Sequence, residues 1–220
     1  MNRLLATLFV AAGLLPAQSV DQFLARLDTA ASTFKGAKAD MRRTKYLASI
    51  GESDVETGSS VVRRTGTGTL EFRIDIDGAN ANTYIVRGQS IEHYMPGLNQ
   101  IDVYDFRKYR DLAQKLMVLG FGMSGRELKA DYAISNLRRE TVAGRPTTAV
   151  DLTPKSQEVL DLHLNKVQLW VSDDTAAPAQ QKLYFRDGPW TVEYFNVQLN
   201  PKLPANVLDL PKGAKRVKVQ

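Results

Sequence analysis

The sequence predicts a single α+β domain: a large, mostly antiparallel sheet with one amphipathic helix before it and a second inserted midway. Three observations predict it. The apolar period is helical near the start of the chain, changes to two over most of the rest, and returns to helical once, between Phe106 and Phe121. Turn residues punctuate the alternating runs. No Gly/Ser/Pro linker and no repeat period divides the chain. A sheet of this size cannot bury both faces on itself, so either it curls toward a barrel or the two helices cover its concave side.

The first helix is expected from Ser19 to Lys38. Val20, Phe23, Leu24, Leu27, Ala31 and Phe34 recur at spacings of three and four and so share one face. Ser19 with Gln22 forms a capping box, and Gly36 is the expected stop. The clearest strand is "LEFRIDID", with Leu70, Phe72, Ile74 and Ile76 on one side and Glu71, Arg73, Asp75 and Asp77 on the other. "TYIVR", "IEHYM" and "IDVYDF" follow, separated by turn material. In "IEHYM", alternation sets Glu92 and Tyr94 on the face opposite Ile91 and His93. The inserted helix gathers Phe106, Tyr109, Leu112, Ala113, Leu116, Met117 and Gly120, and "GFGMSG" reads as a flexible exit from it. Strands are then expected in "YAISNLRRE", "TTAVDLTP", "VLDLHLNKVQLWV", "QQKLYF" and "WTVEYFNVQL", with "NVLDLP" as a further one.

The chain has 220 residues, 43% of them apolar and 24% charged, with a formal charge of +5. That composition is globular, not disordered. The basic residues are spread along the chain without a helix-turn-helix, zinc-finger or RNA-binding motif, so nucleic acid is not an expected partner. "MNRLLATLFVAAGLLPAQS" has the layout of an export signal: Arg3, an apolar run from Leu4 to Leu15, then Pro16 and Ala17. Residues 1–18 are read as a cleaved signal and 19–220 as the mature domain. There is no cysteine, so no disulfide framework and no attachment point for a lipid just after the apolar run. The expected product is soluble and exported, hence periplasmic in a bacterium with an outer membrane.

Candidate catalytic groups are few. No Gly-x-Ser-x-Gly elbow, Walker loop, His-Glu-x-x-His pair or dinucleotide fingerprint is present. A zinc site would need both histidines, His93 and His163, with carboxylates from distant strands. Glu71, Asp75 and Asp77 could mimic an acid pair but read as the wet side of a strand. "GTGTLEF" precedes a strand and lacks the helix dipole a phosphate needs. The chain is therefore not read as an enzyme, and no cofactor or metal is expected. The apolar stripes of the two helices and the facing strands remain as a candidate lipid site: Phe23, Leu27, Phe72, Ile74, Ile91, Met95, Leu112, Leu116, Met117 and Leu169. Met95, Met117 and Met123 could adapt to different chains. Arg63 and Arg64 precede the best strand. One of them, pointing inward, could hold backbone carbonyls of the covering helices as a latch.

From about Ser19 to Lys218 the chain resembles the periplasmic carriers of outer-membrane lipoproteins, the LolA type. The resemblance lies in the order of "VVRRTGTGTLEFRI", "YIVRGQSIEHYMP", "NQIDVYDF", a helical insertion, "AVDLTPKSQEVLDLHLNKVQLWV", "TVEYFNVQLN" and "LDLPKGAKRVKV". It implies an open, incomplete β-barrel whose helices cover the concave face as a lid over an apolar cavity for acyl chains. It also implies an arginine linking sheet to lid. Arg64 best matches that role and Arg63 is the alternative, since Thr65 stands where the family often has proline. The implied function is a monomeric carrier that ferries acylated lipoproteins from an inner-membrane donor to an outer-membrane acceptor. Relatives of the same fold bind other lipids or serve as sensors within envelope-stress regulators, so a lipid-binding sensor is the alternative.

Overall fold

The structure is a computed structural model, described for residues 19–105 and 119–219. The expected signal and most of the inserted helix, with Leu112, Leu116 and Met117, lie outside the described residues. Helix α1 (Val20–Thr33) starts as its sequence dictates. Ser19 Oγ accepts from the Gln22 N–H, and the Gln22 side chain accepts from the Ser19 N–H. It ends at Thr33, earlier than expected, because Gly36 does not stop the helix but opens strand β1 (Gly36–Leu47). A Cβ at Gly36 would stand 2.7 Å from the Val62 carbonyl oxygen, so only glycine lets these two strands approach there.

Eleven further strands follow: β2 (Glu52–Arg64), β3 (Leu70–Ile76), β4 (Asn82–Arg87), β5 (Ser90–Met95), β6 (Gln100–Asp105), β7 (Tyr132–Val142), β8 (Arg145–Pro154), β9 (Leu164–Ser172), β10 (Pro178–Phe185), β11 (Gly188–Leu199) and β12 (Lys215–Val219). All twelve form one sheet in the order β12-β6-β5-β4-β3-β2-β1-β11-β10-β9-β8-β7. Every pairing is antiparallel except β12 with β6. The β1–β11 ladder joins the two halves of the chain, from Ala37 opposite Leu199 to Lys45 opposite Trp190. The end strands β12 and β7 do not pair, so the sheet is open.

Among the described residues the remaining α-helices are short: α2 (Gly125–Asp131) and α3 (Gln157–Asp161). Three expectations are corrected. "VLDLHLNKVQLWV" is not one strand: its start belongs to α3, and the chain turns at His163, with φ +59°, into β9. "NVLDLP" forms turns, and the strand lies instead at β12. "GFGMSG" is not a loose exit, because a Cβ on Gly122 would collide with the Phe34 ring and one on Gly125 with the Leu24 backbone. Those glycines let the segment pack directly onto α1.

Alternation gives the sheet two distinct faces. On one, Val62, Phe72, Val86 and Ile91 stand side by side across β2–β5. Val192, Gln181, Leu169 and Val150 do the same across β11, β10, β9 and β8. This is the concave face, and α1 lies on its β7–β10 part, where Phe23, Leu24 and Leu27 pack with Leu128, Val150, Leu152, Val167 and Leu169. A second cluster lies toward β1–β4 and includes Phe34, Met41, Val62, Phe72, Phe121 and Tyr194. On the opposite face the segment after β11 runs back over β2–β6. Arg63 donates to the Ala205 carbonyl and Arg73 to those of Val207 and Asp209. Leu208, Ile85 and Ile101 are buried there, and Glu92 meets Arg216 at 2.7 Å.

Candidate functional site

Between the two apolar clusters, at the seam of β1–β3 with β10–β11, lies a cavity of about 250 Å³. Met41, Val62, Phe72 and Ile74 form one wall, and Leu183, Trp190, Val192 and Tyr194 the other. Phe121 closes it from the helix side, its ring edge-on to Tyr194 with centroids 5.0 Å apart. Burial pushes the Tyr194 hydroxyl well above its ordinary pKa, so it stays neutral. Few polar residues border this space: Ser60, Gln181, Arg43 and Arg73, whose guanidinium turns to the opposite face to bond the Val207 and Asp209 carbonyls. A smaller cavity of about 90 Å³ runs under the end of α1, bordered by Leu27, Phe34, Phe121 and Ala176.

Two side chains tie the concave sheet to the segment that covers it. Arg64, at the end of β2, donates through Nε to the Phe34 carbonyl at 3.1 Å and through Nη2 to the Gly122 carbonyl at 2.8 Å. Its Nη1 reaches the Gly68 carbonyl at 3.3 Å. The guanidinium also stands over the Phe34 ring, 5.7 Å from the centroid. Gln181, buried on β10, donates to the Leu119 carbonyl. Arg63 points the other way, pairing with Glu71 at 2.7 Å. Strand alternation makes this divergence unavoidable.

Neither histidine has the geometry of a catalytic base. His93 stacks on Tyr84, with ring centroids 4.4 Å apart and planes 7° off parallel. Its Nε2 is buried without a hydrogen-bond partner. Burial lowers its pKa, and nearby Asp102 only partly opposes that. His163 is an exposed turn residue. Among the described residues no group of three or more His, Asp or Glu side chains could hold a metal ion. No helix among them is long and apolar enough to cross a membrane.

No known family's profile matches the chain, and no curated protein does. Among solved structures it is similar to MucB of Pseudomonas aeruginosa, solved in complex with MucA, with a TM-score of 0.52 and 17% identity over 91% of this chain. The chain spans 64% of that protein's length. An uncharacterized conserved protein from Thermus thermophilus gives 0.56 at 10% identity, over 92% of this chain and 100% of its own. LprF from Mycobacterium bovis gives 0.50 at 13% identity, over 86% and 97%. A LolA superfamily protein from Nitrosomonas europaea, at 0.41, is too remote to carry weight. An unclosed sheet carrying its helices on one face is the architecture that decides the matter. The fold is that of MucB and LprF. At these identities the likeness extends to the fold alone.

Within this fold the candidate residues divide. Phe72 and Ile74 line the cavity, and Ile91 packs on the same cluster. Phe23 and Leu169 are fully buried in the filled core under α1, away from the cavity. Leu27 belongs to that core and borders the smaller cavity. Met95 is half-buried at the end of β5, and Met123 packs against the core under α1. The cavity residues of β1, β10 and β11 are not among the candidates read from sequence. "WTVEYFNVQL" carries the signal for three of them, since Trp190, Val192 and Tyr194 alternate on one face. Met41 has none, because "GAKADMRRTKYL" places charges on both faces of its strand.

Proposed function

We propose that this protein is a periplasmic carrier that takes acyl chains of lipoproteins into the cavity and ferries them from an inner-membrane donor to an outer-membrane acceptor. The observation that carries this reading is the apolar hollow on the helix-bearing face, closed by Phe121 and tied by Arg64 to the Phe34 and Gly122 carbonyls. Burying a methylene is worth roughly 0.8 kcal/mol, so ~15 methylenes of one acyl chain give a gross drive near ~12 kcal/mol. Parting Arg64 from its carbonyls, moving Phe121 and ordering the chain offset much of that. Cargo can then be released without a large barrier.

The test is mass spectrometry of the protein isolated from a periplasmic extract. Copurification of acylated lipoproteins, lost when the cavity is filled, is the expected result; recovery without any acylated molecule overturns the reading. A second reading, a lipid-binding sensor that acts through a regulatory protein, is favoured by the likeness to MucB, which was solved with MucA. It predicts a stable complex with a protein partner that ligand dissolves, where a carrier forms only transient contacts with donor and acceptor.

A further inference from the structure

We propose that the cavity's ligand is an anionic amphiphile, with its chain in the apolar space and a carboxylate or phosphate head held by Arg43 and Lys45. This rests on acyl binding alone, the part of the reading above that does not require a lipoprotein as the cargo, and adds to it the charge of the head group.

Alternation along β1 turns Met41, Arg43 and Lys45 to the concave face. Met41 and Arg43 line the cavity, and the Lys45 ammonium stands 5.4 Å from the ring centroid of Trp190, a wall residue. Over about 13 Å of strand the wall therefore changes from apolar to cationic, as the boundary between a tail and a head requires. Two cations here share one carboxylate. A single oxygen of Glu56 receives Arg43 Nε and Nη2, both at 2.7 Å, and Lys45 Nζ at 3.2 Å. Burial would raise the Glu56 pKa, but the bonds from Arg43 and Lys45 overcome this and hold it below the ordinary carboxylate range. Arg43 and Lys45 thus set two cations around the one carboxylate they share, and the exposed Asp54 stands opposite Lys45 on the same face.

On the opposite face Arg42 has its own partner, Glu193, at 2.6 Å. Tyr84, which lies within the field of Arg43 and Glu56, is kept neutral by burial, and His93 behind it is biased to the neutral form. Asp102 accepts from Gln100 on β6, four strands or about 19 Å from β2. Among the described residues no hydrogen bond engages Arg43 Nη1. The planar fork of a guanidinium matches a carboxylate or phosphate oxygen pair, and the lysine adds a mobile point charge. Next to an apolar wall such a pairing is stronger than in open water. A neutral head gains nothing from this arrangement, and a zwitterionic one brings its own cation against it.

The test is displacement of the neutral fluorophore N-phenylnaphthylamine from the intact protein by four lipids: oleate, methyl oleate, lysophosphatidylglycerol and lysophosphatidylcholine. In each pair the anion is expected to bind about tenfold tighter than its partner of the same chain. Preference in only one pair identifies the head as carboxylate or as phosphate, and supports the proposal. Lys45→Met, and the charge-balanced double change Arg43→Gln with Glu56→Gln, should bring the ratios toward one. Should the double variant misfold by circular dichroism, Lys45→Met alone decides. Equal binding of anion and partner in both pairs overturns this inference and leaves acyl binding standing. Failure of all four lipids to compete overturns both.

Discussion

Arg63 and Arg64 are neighbours in the chain with opposite fates, because successive side chains of a strand point to opposite faces. Arg64 bonds three carbonyls on the concave side, and two of them, Phe34 and Gly122, belong to the segments that cover the sheet. Replacing it by leucine should leave the far-ultraviolet dichroism unchanged and lower unfolding stability by about 1–3 kcal/mol. Amide exchange around Gly120–Ser124 should quicken in the same variant, a response that Arg63→Leu should not share. Asp151, 12% exposed on the other face, sets a pH dependence. Burial alone would raise its pKa, but bonds from Lys166, Gln168, Asn136 and Arg138 hold it down to about 2, from 3.8. A depressed carboxylate stabilises the fold above its unfolded pKa and loses that contribution as pH falls through the folded one. Stability should therefore drop by roughly 2 kcal/mol between about pH 5 and pH 2. Urea midpoints across that range should show the slope, and Asp151→Asn should flatten it.

Elements meet here through what they lack as much as through what they bury. The segment from Leu119 to Ser124 lies against α1 because Gly122, at φ +66°, presents only a hydrogen to the Phe34 ring. Gly122→Ala should therefore both strain the backbone and push Phe34 away. The expected loss is about 2 kcal/mol or more, read from the thermal midpoint. Alanine at Gly66, where nothing stands near the added carbon, should be close to neutral. On the other face, Leu208 anchors the segment leading to β12, with 1% of its surface exposed. Leu208→Ala should cost about 2–5 kcal/mol by denaturant unfolding. It should also loosen the Glu92–Arg216 pair and speed exchange in β12 before β6.

At the scale of the whole molecule, an open twelve-stranded sheet leaves more concave surface than α1 and α2 can fill. Under α1 the interior is a cluster of buried side chains, interrupted by the smaller cavity near the helix end. The unfilled part lies toward β1–β3, where the cavity remains. Filling it is the most direct test of what it holds. Val192→Trp adds bulk from one wall toward Phe72 and Ile74 opposite. It should abolish displacement of N-phenylnaphthylamine by oleate while changing stability by no more than about 1–3 kcal/mol. Unchanged acyl binding in a folded Val192→Trp protein would show that the chain enters elsewhere.

The helix start at Ser19, the strand β3, the alternation of "IEHYM" and the α+β class were all legible in the sequence by itself, because each follows from local periodicity and caps. So was the idea of an inward arginine. The long β1–β2 hairpin was not, since β1 carries charges on both faces, and neither was the pairing of β1 with the distant β11. The same limit hid the cavity wall and the Glu56 pairing. Which apolar face packs solid and which stays hollow depends on contacts among residues more than a hundred positions apart, and a pattern of neighbours carries no record of those. Only the tertiary structure decided it: the β1–β11 ladder brings Met41 to Tyr194 and Arg43 to Val192, and the hollow exists where those strands meet.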